Sequence, residues 1–225
     1  MSEQSPEEKL RLLATESLAG GDPTGWFERL YVAAEQGTAV VPWDRDTPNP
    51  LLAQWVPKQG RDGAGRRALV VGAGLGRDAE HIASLGFDTV AFDVSPTAVE
   101  GARRRHPHSP VRYEVADLLN PPADWRQAFD LVVESMTVQA LPDPPRGQAI
   151  ANVAELVGAD GTLIVIALAH SGQAADDGPP WQLARREIDA FAAPGLVEVT
   201  VEEIADPPPS PVRRWRAEFH RPPRQ

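Results

Sequence analysis

The chain has 225 residues, no cysteine and a formal net charge of −10. The missing cysteine excludes thiol nucleophiles, Cys-ligated zinc and disulfide redox control, and the acidic balance opposes binding to a nucleic-acid phosphate backbone. A hydrophobic fraction of 42% is enough for a core without metal or disulfide staples, while no apolar run approaches the roughly 18–20 residues of a membrane span.

The first residues, Met1 to Arg11, are acidic and polar, with neither the basic nor the apolar region of a secretory leader. A cytoplasmic protein is expected. A helix over Glu7 to Ser17 stops at Gly20-Gly21, and Asp22-Pro23 caps a second helix, Thr24 to Gln36. Trp26, Phe27, Leu30 and Tyr31 recur on that helix at helical spacing, which for Phe27 and Leu30 reads as core. Val40 to Asp44 is extended, and a short helix at Asn49 to Trp55 leads into a polar linker, Lys58 to Arg66.

From Arg67 strands and helices alternate: strand Ala68 to Val71, helix Arg77 to Leu85, strand Thr89 to Phe92, helix Pro96 to Arg105 with Ser95 as its N-cap. Arg103, Arg104 and Arg105 read as a solvated helix end, where cations complement the helix dipole. Strands at Val111 to Val115 and Phe129 to Val133 follow, then a helix at Arg146 to Val157. Thr162 to Leu168 is an apolar run suited to a strand buried on both faces. A helix at Leu183 to Phe191 precedes two strands, Val197 to Ile204 and Val212 to His220, joined by a proline-rich turn and therefore antiparallel. The pattern predicts an α/β fold: a seven-stranded, mostly parallel sheet with helices on both faces and an antiparallel C-terminal pair. Residues 1–60 read as an N-terminal helical arm and 61–225 as the domain that holds the sheet.

The most informative motif is Gly72-Ala73-Gly74-Leu75-Gly76, directly after the first of these strands, with Asp93 directly after the next. Glycines there let a backbone approach a ligand closely, and the acid can accept hydrogen bonds from both ribose hydroxyls. In a dinucleotide fingerprint the third glycine permits close helix–strand packing, yet that position is Arg77. The tighter Gly-x-Gly-x-Gly suits S-adenosylmethionine, which has no pyrophosphate to seat. Asp117, with Leu118 beside it, follows the third strand where an acid can accept from an adenine amino group. Glu134 and Ser135 follow the fourth, at the carboxyl edge where open sheets bind ligands.

At these residues the chain resembles the class I S-adenosylmethionine-dependent methyltransferases, and within them the thiopurine and halide/thiol methyltransferase group. The narrower match lies in Gly25-Trp26 with Tyr31 and Pro42-Trp43-Asp44, in Gly74-Leu75-Gly76-Arg77-Asp78, and in Gly178-Pro179-Pro180-Trp181. The resemblance implies an arm folded over the cofactor with Trp26 and Trp43 near its methyl end. A sulfonium is attracted to an indole face by roughly 1–2 kcal/mol when desolvated. The chain departs from the group at Ala73, often Cys there, at Glu134, usually Asp, and through Glu134 to Leu141, where an aromatic-rich segment is expected.

The expected cofactor-binding set is Trp26, Trp43, Gly72, Ala73, Gly74, Arg77, Asp93, Val94, Asp117, Leu118 and Glu134. The acceptor pocket is expected to use Trp43, Met136, His170 and Trp181, with His170 as the candidate general base. No His/Asp/Glu cluster has metal-ligand spacing, so no metal is expected. The predicted activity is in-line methyl transfer to a thiol, halide, or heteroaromatic or phenolic nucleophile on a small molecule, with no nucleic-acid or membrane partner. A non-catalytic S-adenosylmethionine-binding protein and an NAD-dependent oxidoreductase are the alternatives. The acceptor atom and the oligomeric state are not readable from the chain.

Overall fold

A computed structural model describes residues 5–55, 63–170, 178–193 and 195–224. Of the predicted linker, residues 58–62 lie outside the described residues, as do residues 1–4 of the polar N-terminus. Helix α1 (Pro6–Ala19) starts at a capping box in which the Ser5 hydroxyl accepts from the Glu8 N–H and the Glu8 carboxylate answers the Ser5 N–H. Helix α2 (Gly25–Glu35) begins where the Asp22 carboxylate takes the N–H groups of Thr24 and Gly25, at 3.0 and 2.8 Å. These hydrogen bonds hold the Asp22 pKa below the usual carboxylate range. Helix α3 (Pro50–Ala53) is a single turn capped by Asn49.

The sheet follows: β1 (Arg67–Val71), α4 (Arg77–Ser84), β2 (Asp88–Asp93), α5 (Pro96–Arg105), β3 (Arg112–Val115), β4 (Phe129–Ser135), α6 (Pro145–Leu156), β5 (Val157–Leu168), α7 (Arg185–Asp189), β6 (Val197–Ala205) and β7 (Arg213–His220). Its order is β3-β2-β1-β4-β5-β7-β6. Strands β1 to β5 are parallel, and β7 pairs antiparallel with both β5 and β6. Order reverses between β1 and β4, the switch point at which open sheets leave a crevice outside their carboxyl ends.

One expectation is corrected. The fifth strand begins at Val157, not Thr162, because Gly158 to Gly161 form a bulge within it. Phe129 pairs with Val157 while Leu131 pairs with Thr162. Gly158 and Gly161 lie so close to the Phe129 carbonyl that a Cβ on either would stand 3.1 or 2.9 Å from it. The arginine cluster at the end of α5 is exposed, as expected of a solvated helix end, and forms surface ion pairs: Arg103 with Glu100, Arg104 with Glu35, and Arg105 with Asp44.

Three apolar clusters carry the packing. One lies under α6 and α7, a second under α3, α4 and α5, each covering one face of the sheet. The third joins Leu10 and Ala14 of α1 to Trp26, Leu30 and Tyr31 of α2, and reaches Val41, Ala98 and Ala140. A large apolar side chain, fully buried, contributes about 1.5–3 kcal/mol. This third cluster sets the N-terminal helices against α5 and the turn after β4, above the switch point.

Candidate active site

The loop between β1 and α4 is built around positive φ at Gly72, Gly74 and Gly76 (59°, 53° and 94°), a region other residues enter at a cost. The space beside these glycines is filled by protein. A Cβ on Gly72 would fall within the Thr137 side chain, one on Gly74 would stand 2.8 Å from the Tyr31 hydroxyl, and one on Gly76 would meet the Tyr113 hydroxyl. Thr137 also donates its hydroxyl to the Val71 carbonyl at 3.1 Å. The glycines therefore let Thr137, Tyr31 and Tyr113 close on the loop from three directions. Sequence reasoning assigned that room to a ligand.

Asp93, at the end of β2, ties this loop to the next. Its Oδ2 accepts from the Gly74 N–H at 2.9 Å and its Oδ1 from the Ser95 N–H at 3.0 Å. Burial raises its pKa to about 6, against the lowering effect of those N–H groups. A carboxylate offers about four acceptor positions, so both oxygens retain capacity toward the cavity that Asp93 lines. Past β3, Asp117 accepts from the Leu119 N–H at 2.8 Å.

Glu134 lies near the end of β4 with no exposed surface. Its Oε1 accepts from the N–H groups of Thr137 and Val138 at 2.7 and 2.9 Å, while Oε2 has no hydrogen-bond partner among the described residues. Burial pushes its pKa up to about 7. The carboxyl thus caps the 3-10 turn Val138–Ala140 and keeps Thr137 against Gly72.

A strap of residues 41–49 crosses above. Trp26 is buried and stacked on Phe27, with centroids 3.8 Å apart, and Trp43 meets its ring edge-on at 6.0 Å. The indole Nε1 of Trp43 donates to the Tyr31 hydroxyl at 2.8 Å. Burial, then the nearby Asp93, raises the Tyr31 pKa well above its ordinary value. Asp44 takes both terminal nitrogens of Arg105, at 2.6 and 3.0 Å. Asn49 donates its N–H to Asp78 at 2.7 Å and its amide to the Ser135 hydroxyl at 3.1 Å, joining strap, α4 and β4.

Between strap and sheet lies a cavity of about 560 Å³, within the usual range of small-molecule sites. Ten of the eleven expected cofactor residues line it: Trp26, Trp43, Gly72, Ala73, Gly74, Arg77, Asp93, Val94, Asp117 and Leu118. Glu134 instead lies beneath the wall. Of the expected acceptor residues, Trp43 and Met136 are on the wall, but His170 and Trp181 are not. His170 is exposed, its backbone N–H bonded to the Leu183 carbonyl at 3.0 Å. Trp181 packs under the Arg146 guanidinium, 5.3 Å from its ring centroid. Sequence reasoning missed Tyr31, Asn49, Asp78, Gln139 and Arg214 as wall residues. Tyr31 and Asp78 fell within segments quoted for the family resemblance, whereas Gln139 and Arg214 arrive through folding alone. Among the described residues no group of three His, Asp or Glu side chains could hold a metal ion.

The residues present fit S-adenosylmethionine. A buried acid with spare acceptor capacity stands at the end of β2, an acid follows β3, and Phe27, Trp43, Val94, Leu118 and Leu119 provide apolar surface. A methyltransferase-domain family model matches residues 68–161. Thiocyanate methyltransferase 1 of Brassica oleracea is 28% identical over 201 residues, covering 88% of this chain and 83% of that protein. Probable thiol methyltransferase 2 of Arabidopsis thaliana is 26% identical over 193 residues, covering 85% and 79% respectively. The crystal structure of N-methyltransferase NodS from Bradyrhizobium japonicum WM9 with S-adenosyl-L-homocysteine shares the fold, with a TM-score of 0.67 at 23% identity over 86% of this chain and 98% of that one. The matched domain and the fold are those of a class I S-adenosylmethionine-dependent methyltransferase. Within that class the chain resembles the thiol methyltransferase group. No helix among the described residues is long and apolar enough to cross a membrane.

Proposed function

We propose that the chain methylates the sulfur of a small thiol, taken as the thiolate. The observation that carries this reading is the chemistry of the cavity wall. Among the described residues that line it there is no histidine, lysine or glutamate, and each of its acids already holds a donor of the protein, with the spare capacity of Asp93 assigned to the ribose. Asp44 is paired with Arg105, Asp78 holds the Asn49 N–H, Asp93 holds the glycine loop, and Asp117 holds the Leu119 N–H. A hydroxyl or amine acceptor usually needs a base, whereas a thiol ionises near neutral pH without one. The similarity to a thiocyanate methyltransferase and a probable thiol methyltransferase supports the same acceptor class.

S-adenosylmethionine, when bound, supplies a methyl group already activated on a cationic sulfur, so the protein's task is alignment and exclusion of water. In this reading Asp93 accepts from the ribose hydroxyls and Asp117 from the adenine amino group. Gly72, Ala73 and Gly74 give the chain its curve around the methionine portion, and Arg77 anchors the loop by donating Nε to the Arg45 carbonyl at 3.0 Å. Val94 and Leu118 flank the base, and Trp43, backed by Trp26, closes the methyl end. Glu134 acts from below by holding the turn that carries Met136 and Thr137. His170 has no assigned part. Residues 1–60 act as the lid in this scheme, and the acidic chain serves a small acceptor rather than a nucleic acid.

The test is a methylation panel of hydrosulfide, thiocyanate, iodide, aromatic and aliphatic thiols, phenols and heteroaromatic amines, read by mass spectrometry of the products. S-methylated products should dominate. Methylation of phenols or amines with none of the thiols would refute the assignment.

A further inference from the structure

The turn after β4 buries a donor that no described residue uses. Gln139, in the 3-10 turn Val138–Ala140, has no exposed surface and lies along the cavity wall. Its Oε1 accepts from the Leu168 N–H at 2.6 Å, which fixes which end of the amide is oxygen. Its backbone carbonyl accepts from the Trp181 N–H at 2.8 Å, so the residue is held at both ends. The amide nitrogen, Nε2, is buried with no partner among the described residues.

A buried amide nitrogen without an acceptor is costly and uncommon. Of the wall residues at this end, Leu141, Leu168, Pro179 and Pro180 have no acceptor side chain, and the Met136 sulfur already takes an Arg214 N–H at 3.9 Å. Arg214, the other strong donor at this end, already holds both oxygens of Asp206, at 2.8 and 2.9 Å. The unused N–H is therefore placed for an oxygen or nitrogen acceptor brought by a ligand.

Building on the thiol reading, we infer that Gln139 is a specificity-determining residue. Its Nε2 donates to a hydrogen-bond acceptor carried by the methyl acceptor itself. The favoured substrates are then small organic thiols bearing a carbonyl, carboxylate or ring nitrogen, in preference to bare inorganic anions or hydrocarbon thiols. A site with a fixed donor discriminates strongly against an analogue that leaves that donor unpaired.

The experiment compares thiophenol with the three positional isomers of mercaptobenzamide, on wild type, Gln139→Met and Gln139→Glu. The methionine variant removes the donor. The glutamate variant keeps an oxygen for the Leu168 N–H and is assayed at about pH 9, where its carboxylate is ionised. Expected is a kcat/KM ratio, best mercaptobenzamide over thiophenol, that falls about tenfold in each variant that folds. A ratio within twofold of wild type in either folded variant overturns the inference. Calorimetric titration of the same ligands into protein loaded with S-adenosyl-L-homocysteine separates the two readings. If wild type methylates no thiol, the thiol reading fails, and the binding ratio still decides Gln139. A mercaptobenzamide preference that survives either substitution in a folded variant, or no preference in wild type, refutes it.

Discussion

Glu134 offers a direct test of how the turn after β4 is held. Its carboxyl is fully buried, caps two N–H groups through one oxygen, and has a pKa raised by burial from 4.5 to about 7. Between those values the folded protein keeps a proton that the unfolded chain has released, so unfolding free energy falls as pH rises through the window. At about 1.4 kcal/mol per pH unit, the complete loss from Glu134 is about 3 kcal/mol, reached above pH 7 and absent below pH 4.5. Glu134→Gln keeps an oxygen for the Thr137 and Val138 N–H groups but cannot ionise. The new amide nitrogen would occupy the place of Oε2, which has no partner among the described residues, and would cost a pH-independent ~1–3 kcal/mol. Urea unfolding of the cofactor-free proteins at a series of pH values isolates the slope. The difference in stability, variant minus wild type, should rise by about 3 kcal/mol from acid to alkaline pH. Asp93, whose pKa is raised in the same direction, is common to both proteins and cancels. Parallel stability curves would show that Glu134 ionises without penalty, and the buried-cap account would fall.

Further outcomes follow from the same geometry. Gly74→Ala places a methyl against the Tyr31 hydroxyl at a positive φ, and should lower stability by about 1–3 kcal/mol in urea. Adding Tyr31→Phe should recover part of that loss, and strict additivity would count against the contact. Trp43→Ala removes both the indole face and the Nε1 donation to Tyr31, and should weaken S-adenosylmethionine binding about tenfold by calorimetry. Leu30→Ala opens a hole in the cluster beneath the strap and should cost about 2–5 kcal/mol in urea unfolding. In thermal-shift assays S-adenosylmethionine should raise the melting temperature and NAD should not. At a hundredfold excess over Kd the gain is about 2.7 kcal/mol.

Local pattern in the chain was enough for the order of strands and helices. Apolar runs such as Ala68 to Val71 and Leu163 to Leu168 suit only buried strands in this alternation, and Ser95-Pro96 starts α5 where a cap and a first-turn proline meet. That the glycine loop, Asp93 and Asp117 share one sheet edge was equally legible, because a loop after a strand is a local arrangement of backbone and strand end, and all of them line the cavity. The bulge in β5 was not, since Gly158 and Gly161 are shaped by their contact with Phe129 on the neighbouring strand.

By itself, then, the sequence determined the alternation of elements, the antiparallel end of the sheet and the class of cofactor. Each depends on residues within a few positions of one another. Only the tertiary structure decided what stands around the loop. Thr137 closes on Gly72 and Tyr31 on Gly74 from distant parts of the chain, Glu134 turns beneath the wall, and His170 and Trp181 fall outside it. Gln139 reaches the wall because the Leu168 N–H, a strand away, fixes its amide. Such neighbours are selected by packing between distant segments, and no spacing along the chain encodes them.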